Sequence, residues 1–279
     1  MTASNSAKWG DLAVRSASAI ALIPMVIACV WLGGYWFLAF VAALGCLIGH
    51  EWTSIVHPGS SLQYVLHIAS ALSGALLTHF FGVGLAISVI FGLSLISGLM
   101  ARFCEGPKST WSYLGILYTG FPTISLMVLR ADPKYGFAAI LWVFVIVWSA
   151  DILAYFAGRI IGGPKLAPRI SPKKTWAGLA GAVFGSAAAS LVYSYFIHLA
   201  DGIVPTLFAG ALALVEQAGD LFESSLKRHF GVKDSGRLIP GHGGVIDRVD
   251  GLIAAIIVAA ALGLYRGQGV SAAQGLLFW

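Results

Sequence analysis

Nine apolar stretches, each about as long as a membrane-spanning helix, occupy most of this 279-residue chain. They lie at residues 13–32, 35–55, 62–81, 83–101, 110–129, 136–160, 175–199, 203–226 and 246–265. A helix of about 20 apolar residues crosses the hydrocarbon core of a bilayer. The stretches are continuously apolar, and lipid requires each segment to pair its own backbone groups, so helices are the expected spanning form. The sequence therefore predicts an all-α, polytopic transmembrane helix bundle with about nine spans.

The composition excludes the main classes of soluble protein. Hydrophobic residues make up 58% of the chain and charged residues only 10%, whereas soluble domains carry about 25% charged residues. A soluble core of this length could not hide so much apolar surface, and solvated disorder is excluded by the same figures. Cys29, Cys46 and Cys104 show no disulfide or metal-ligand spacing, so we expect them to behave as small hydrophobic residues.

The basic residues predict the orientation in the membrane. Lys and Arg exceed Asp and Glu by five, and such an excess gathers on cytoplasmic loops. The main loop cations are Lys165, Arg169, Lys173 and Lys174 after the sixth stretch, and Lys227, Arg228, Lys233 and Arg237 after the eighth. We therefore expect both loops to be cytoplasmic, in agreement with Lys8 and Arg15 near the N-terminus. Arg130 and Lys134 fall in a loop on the opposite side, so they do not follow this distribution of basic residues. Nucleic-acid binding is not predicted from this charge.

Carboxylates are scarce and concentrated late in the chain. Six of the twelve lie between residues 216 and 250. Helical spacing places Glu216, Asp220 and Glu223 on one face of the eighth stretch. Asp247 and Asp250 open the ninth stretch, and Asp151 lies near the end of the sixth. For Glu223 and Asp250, pairing with a neighbouring cation for packing is an equal alternative to a functional role.

Asp220 and Asp247 are the candidate metal ligands. Asp220 precedes Lys227 by seven residues, or about 10 Å along a helix. An ionised carboxylate at that depth must face a wet or metal-filled cavity. Oxygen ligands from two helices that face one another suit a hard cation such as Mg²⁺.

The loop between these carboxylates combines cations with glycines. Gly241, Gly243 and Gly244 directly precede the ninth stretch, and a helix N-terminus behind a glycine turn is a phosphate-binding arrangement. The cations available to a polyphosphate are Lys227, Arg228, Lys233, Arg237 and Arg248. His242 is either a phosphate donor or an ordinary turn residue. Carboxylates for Mg²⁺ beside cations for phosphate are typical of a nucleotide-phosphoryl or nucleotidyl transfer site. The chain has no Walker P-loop, GxGxxG, HExxH or GxSxG motif.

Two segments resemble a known family. The run SSLKR from Ser224, followed by KDSG from Lys233 and IPGHGGVIDRVD from Ile239, resembles the defining motif of the phosphatidate cytidylyltransferases, also called CDP-diacylglycerol synthases. A second stretch, from Ala150 to Trp176, is similar to the same family, although Leu153 stands where the family has glycine. The resemblance covers residues 148–255 strongly, whereas the first 130 residues match only as apolar helices.

This resemblance implies a reaction in which CTP and phosphatidate give CDP-diacylglycerol and pyrophosphate with Mg²⁺. It implies that Asp220 and Asp247 bind the metal, as two ions, with a monovalent cation as a further possibility. It also implies that Lys227, Arg228 and Arg248 hold the phosphates. These three residues and the two aspartates are the expected catalytic residues. The residues expected to bind substrate are Ser171, Lys173, Lys174, Lys233, Asp234, Arg237, His242, Gly243, Gly244 and Asp151.

The expected organisation is one continuous membrane domain, with transmembrane helices over residues 1–130 and the catalytic helices and loops over 131–279. The expected partners are CTP, phosphatidate, the bilayer and a second copy of the chain, because glycine-rich helix faces favour a homodimer. The expected location is the inner, cytoplasmic membrane, as a multi-pass protein whose active site faces the cytoplasm.

Three other functions are compatible with parts of this pattern. A CTP-dependent kinase of a polyprenol or another lipid alcohol also needs Mg²⁺ and cytidine recognition, but it releases CDP. A cation-coupled transporter also needs intramembrane carboxylates, but such proteins often show inverted repeats, and here the two halves are unlike. A CDP-alcohol phosphotransferase shares the start of a motif at Asp250–Gly251, but Ala255 stands where that motif has arginine.

Overall fold

The computed structural model describes residues 20–104, 108–199, 202–239, 241 and 243–279. Over these ranges the chain forms ten helices and one two-stranded hairpin. The helices are α1 Ile20–Leu32, α2 Gly34–Val56, α3 Ser61–Phe81, α4 Val83–Cys104, α5 Ser109–Arg130, α6 Gly136–Ile160, α7 Trp176–Phe196, α8 Ile203–His229, α9 Ile246–Arg266 and α10 Ala272–Leu277. The hairpin strands are β1 Lys165–Ala167 and β2 Ser171–Thr175, and they pair antiparallel.

The helical bundle predicted from the sequence is confirmed. Each of the nine apolar stretches overlaps one of the helices α1–α9, although residues 13–19 of the first stretch lie outside the described part. Within that part, seven helices are long and apolar enough to cross a membrane, namely α2–α7 and α9. The described segment of α1 is shorter, and α8 carries charged residues over its second half. The count of nine spans stays a prediction. The hairpin and α10 were not predicted.

Small residues set how closely the C-terminal helices pack. α7 presents Gly178, Gly181 and Gly185 to α6, and a Cβ atom added at Gly181 would lie 2.6 Å from the carbonyl oxygen of Leu153. A Cβ atom added at Gly185 would lie 2.9 Å from the Cβ of the same leucine. Close packing through small residues is the usual device of membrane helices. The glycines of α7 therefore make room for Leu153.

The centre of the bundle is α5, which contacts α2, α3, α4, α6 and α9. Its buried side chains join those of α2 and α6, among them Phe37, Leu129 and Trp142, in the main hydrophobic core. The α6–α7 and α8–α9 loops lie together at one end of the bundle, which we call the charged end. The α5–α6 loop lies at the opposite end, because α6 runs from this loop to the charged end.

Asp132, in the α5–α6 loop, is a structural carboxylate. Its side chain is buried and accepts backbone hydrogen bonds from Lys134 and Tyr135, both at 2.8 Å. The Ser271 hydroxyl and the Gln274 amide, at 2.9 Å, donate to its second oxygen. These contacts tie the loop to α10. Burial alone raises the pKa of the Asp132 carboxyl, but these hydrogen bonds outweigh it and lower the pKa to about 2.

We expect acid to destabilise the wild-type protein through Asp132. Because the folded-state pKa is about 2 and the ordinary value is 3.8, the stabilisation by the ionised group is complete above pH 4 and is lost as the pH falls towards 2. Tm in detergent should therefore fall more steeply over this window in the wild type than in Asp132→Asn. At neutral pH the variant should have the lower Tm, by several degrees. Parallel Tm–pH curves for the two proteins would contradict this role.

Candidate active site

The hairpin brings a lysine of the α6–α7 loop to α8. The Thr175 side chain accepts a 3.0 Å hydrogen bond from the Gly178 backbone and so caps α7 at the end of β2. One residue earlier, the Lys174 amine lies 2.8 Å from an Asp220 carboxylate oxygen and 2.9 Å from the Gln217 side-chain oxygen. At the end of α8, the Arg228 side chain reaches the Ile170 carbonyl at 3.5 Å. The two basic loops therefore meet.

A charged cavity opens where these elements meet. Its volume is about 460 Å³, within the range of small-molecule sites. Its charged and amide lining residues are Asp151, Arg159, Lys173, Lys174, Gln217 and Asp220. The mixture of both signs of charge suits an anionic ligand that arrives with a cation.

Four carboxylates interact electrostatically around this cavity: Asp151, Glu216, Asp220 and Asp250. Two glycines allow α8 and α9 to approach closely, which brings the carboxylates of α8 near Asp250 of α9. A Cβ atom added at Gly251 would lie 2.5 Å from a Glu216 side-chain oxygen, and one added at Gly219 would lie 2.9 Å from the Asp250 carbonyl oxygen. Because carboxylates that lie close together repel one another, this cluster favours a cation that neutralises them.

Asp247 belongs to a second cluster of charges, centred on Lys227. The Lys227 amine lies 2.7 Å from one Asp247 oxygen and 2.8 Å from a Glu223 oxygen. The other Asp247 oxygen accepts backbone hydrogen bonds from Ser235, at 3.0 Å, and Gly244, at 2.9 Å. A carboxylate in the first turn of a helix is also stabilised by the helix dipole. Asp247 thus holds the α8–α9 loop against the start of α9.

Glu51, from α2, completes this arrangement. Its side chain is 1% exposed and accepts three hydrogen bonds from the C-terminal half. The donors are the Ser235 hydroxyl at 2.8 Å, the Val245 backbone at 2.7 Å and the Ile246 backbone at 2.8 Å. Gly244 packs against both Glu51 and the Ser235 hydroxyl, leaving no room there for a side chain. Glu51 was not among the site residues predicted from the sequence.

These contacts give N–H groups of the glycine turn partners within the protein, and its phosphate-binding role stays a prediction. The backbone N–H groups at the start of α9 were expected to bind a phosphate, but Gly244 donates to Asp247, and Val245 and Ile246 donate to Glu51. Gly243, with a φ of +86°, accepts a hydrogen bond from the Ile239 backbone. The glycines therefore allow the loop to fold tightly around two carboxylates of the protein itself.

The remaining predicted residues surround these clusters. Arg248, Lys233, Asp234 and Arg237 are exposed, and Ser171 is half-buried on β2. His242 lies outside the described residues. Arg248 also interacts electrostatically with Asp151 across the space between α9 and α6.

The predicted metal pair is divided between the two clusters. Asp220 is paired with Lys174, and Asp247 is paired with Lys227. Over the described ranges, no three His, Cys, Asp or Glu side chains are grouped so as to hold a metal ion. The two aspartates are nevertheless oxygen donors of the kind that Mg²⁺ prefers, and Mg²⁺ commonly binds one or two carboxylates together with substrate phosphates. The residues therefore fit an ion that arrives with its nucleotide.

Comparison with known proteins agrees with this geometry. The model of the cytidylyltransferase family matches residues 13–265. The phosphatidate cytidylyltransferase of Brucella abortus biovar 1 (strain 9-941) is 39% identical over 258 residues, which cover 88% of this chain and 90% of the relative. The protein of the same name from Rickettsia typhi (strain ATCC VR-144 / Wilmington) is 36% identical over 209 residues, covering 70% of this chain and 90% of that protein. The match to the family model spans most of the sequence, including α2 and the whole charged end, and the chain therefore belongs to the cytidylyltransferase family.

Proposed function

We propose that this protein is a phosphatidate cytidylyltransferase, which transfers the CMP group of CTP to phosphatidate and releases pyrophosphate. The observation that carries the proposal is the meeting of the two basic loops at one carboxylate-rich cavity, through the Lys174–Asp220 and Arg228–Ile170 contacts. This cavity lies within a chain that matches its Brucella relative over 88% of its length.

The reaction can proceed without a general base. A phosphate oxygen of phosphatidate attacks the α-phosphorus of CTP, the bond from that phosphorus to the β-phosphate oxygen breaks, and pyrophosphate takes the bonding electrons. The nucleophile is already an anion, so no general base is needed. Catalysis then consists of aligning two anions and neutralising their charge. Lys173 and Arg159 line the cavity and supply positive charge for this purpose, as do Lys227, Arg228 and Arg248 beside it.

The proposal includes Mg²⁺, held by Asp220 and Asp247 together with phosphate oxygens of CTP, as two ions. When bound, Mg²⁺ offsets the negative charge that develops on the transferring phosphate and the pyrophosphate. Lys174 and Lys227, which now pair with these aspartates, are then available to the substrate phosphates. A monovalent cation beside Mg²⁺ is a further component of the proposal.

The test of this function is an assay of the purified protein in detergent with CTP, phosphatidate and Mg²⁺. We expect pyrophosphate release to require phosphatidate and to match the CDP-diacylglycerol formed. Release of CDP with phosphorylation of a lipid alcohol would instead assign the chain to the CTP-dependent lipid kinases. Omission of Mg²⁺, with EDTA present, should abolish turnover.

The proposed location is the inner membrane, with the charged end in the cytoplasm. In a chain whose three native cysteines are replaced by serine, Arg169→Cys and Leu238→Cys, both at exposed positions of the charged end, should react with an impermeant maleimide only from the cytoplasmic side of sealed vesicles. A cysteine at Lys134, exposed at the opposite end, should react only from the other side. Labelling of Arg169→Cys and Leu238→Cys from different sides would contradict the shared site.

The homodimer remains part of the proposal, but its basis is narrower than the sequence indicated. The glycine face of α7 packs against α6 of the same chain and so is not available to a second copy. On α4, Gly84 and Gly92 have open space around them, and this helix therefore offers a small-residue surface.

A further inference from the structure

An apolar groove lies next to the charged cavity. It has a volume of about 370 Å³ and is formed by α1, α2, α5, α6, α9 and the loop that precedes α9. Side chains that face it include Ala43 and Leu47 of α2, Phe144 and Trp148 of α6, and Leu252 of α9. Leu47 and Trp148 are each 40% exposed, so the groove opens towards the surrounding lipid. Along α2 it extends from Leu47 to Phe40, about 10 Å at the helical rise.

One end of this groove is charged and adjoins the cavity. Arg248 is the charged residue in its lining, and it interacts electrostatically with Asp151, which lines the cavity. A second connection runs along α6, where Trp148 lines the groove and Asp151 follows three residues later. Residues three apart share one face of a helix. The apolar groove and the charged cavity are therefore neighbouring parts of one surface.

We propose that this groove binds an acyl chain of phosphatidate and that Arg248 faces the phosphate of the same molecule. The inference rests on the proposed function and extends it to the lipid subsite. A substrate with an anionic phosphate and hydrocarbon tails has to place the phosphate beside the cavity while its tails stay in an apolar environment. The groove meets both requirements, because its lining is apolar and its one cation is at the end next to the carboxylates.

Charge complementarity selects phosphatidate over the bulk lipid of a membrane. Its phosphate is a monoester with no choline or ethanolamine to compensate the charge, so it interacts more strongly with an arginine than a zwitterionic head group does. Arginine also offers a planar pair of donors that matches two phosphate oxygens. An occupant held only by its tails would show no such preference, which makes the two possibilities separable.

The kinetic test uses a tryptophan substitution to fill the groove and compares KM for long-chain and short-chain phosphatidate. Leu47→Trp, in the groove, is compared with Leu76→Trp on α3, which is 39% exposed and lies outside the groove. For dioleoyl phosphatidate, we expect KM to rise about tenfold in Leu47→Trp and to stay within twofold in Leu76→Trp. For dihexanoyl phosphatidate and for CTP, both variants should match the wild type. Equal kinetics of the two variants with the dioleoyl substrate would overturn the groove while the wild-type activity still supports the function.

A binding test does not depend on turnover. Phosphatidate with a diazirine in one acyl chain is photolysed with the wild-type protein in phosphatidylcholine nanodiscs, and the labelled peptides are identified. We expect adducts on the groove segments of α2 and α6, and we expect excess unlabelled phosphatidate to reduce them at least fivefold. Phosphatidylcholine in the same excess should have little effect. Adducts elsewhere, or equal competition by both lipids, would overturn the proposal whether or not the protein turns over CTP.

Discussion

Asp247→Asn and Asp220→Asn are each expected to reduce turnover a thousandfold or more. In the proposed function, Asp247 and Asp220 both hold Mg²⁺, and their other contacts are with Lys227 and Lys174. The carboxamide keeps the size of the side chain but lacks the charge that balances these cations. A loss of several kcal/mol of transition-state stabilisation is expected from removal of such a group, and about 1.4 kcal/mol corresponds to a tenfold change in rate.

The measurement is Mg²⁺-dependent turnover of Asp220→Asn and Asp247→Asn, with Tm in detergent recorded for each. In Asp247→Asn the remaining side-chain oxygen can still accept from the Ser235 and Gly244 backbones, so the fold of the loop should survive. Asp132→Asn is the matched control, because it makes the same change at the opposite end of the bundle. It should keep its activity at temperatures well below its lowered Tm. Near-normal turnover in both site variants would refute the metal assignment, and inactivity with general unfolding would indicate a structural role.

The helices could be predicted from sequence because each one is specified locally. A continuous apolar stretch in lipid has to satisfy its own backbone groups, so its conformation does not depend on which helix packs beside it. The stretch predicted at 136–160 coincides with α6, and the stretch at 83–101 is extended to Cys104. Differences of this size at helix ends reflect capping and fraying. The hairpin was missed because its strands are only three and five residues long and show no apolar alternation.

The site was only partly predictable, because its partners are distant in sequence. The clustering of carboxylates and cations after residue 150 indicated where the charged end lies. It did not indicate that Lys174 pairs with Asp220, or that the N–H groups at the start of α9 are already bound. These pairings depend on how the hairpin meets α8 and on how α2 meets the start of α9. Helix spacing within one segment cannot reveal them.

One sequence signal could have identified Glu51. It is the only acidic residue between Asp11 and Glu105, and it lies within an apolar stretch. A lone carboxylate in a spanning segment is costly and usually has a specific partner. The partner could not be named from the sequence, because the Ser235 hydroxyl is 184 residues away along the chain. Through Glu51, the N-terminal helices thus contribute a buried carboxylate to the charged end.

Glu51→Ala is expected to lower kcat at least a hundredfold and to loosen the loop between α8 and α9. The substitution leaves the Ser235 hydroxyl and the Val245 and Ile246 backbones without their acceptor in a buried setting. Each unsatisfied buried donor costs about 1–3 kcal/mol, so the loop gains by opening to water. Opening displaces Ser235, whose backbone donates to Asp247, and the aspartate then loses its alignment. The kcat of Glu51→Gln should lie between those of the wild type and Glu51→Ala, because its one carboxamide oxygen cannot replace both carboxylate oxygens.

Two readouts separate this positioning role from a general loss of stability. Limited proteolysis should cleave Glu51→Ala first within the α8–α9 loop, while Tm of the remaining helices in detergent changes little. KM for CTP should rise together with the fall in kcat, because the displaced loop also carries Lys233 and Arg237. Thr53→Val is the control on the same helix, since the Thr53 hydroxyl is buried but bonds only within α2, to Gly49 and His50. Wild-type kinetics in Glu51→Ala would show that the loop keeps its place without α2, and Asp247 alone would then have to hold it.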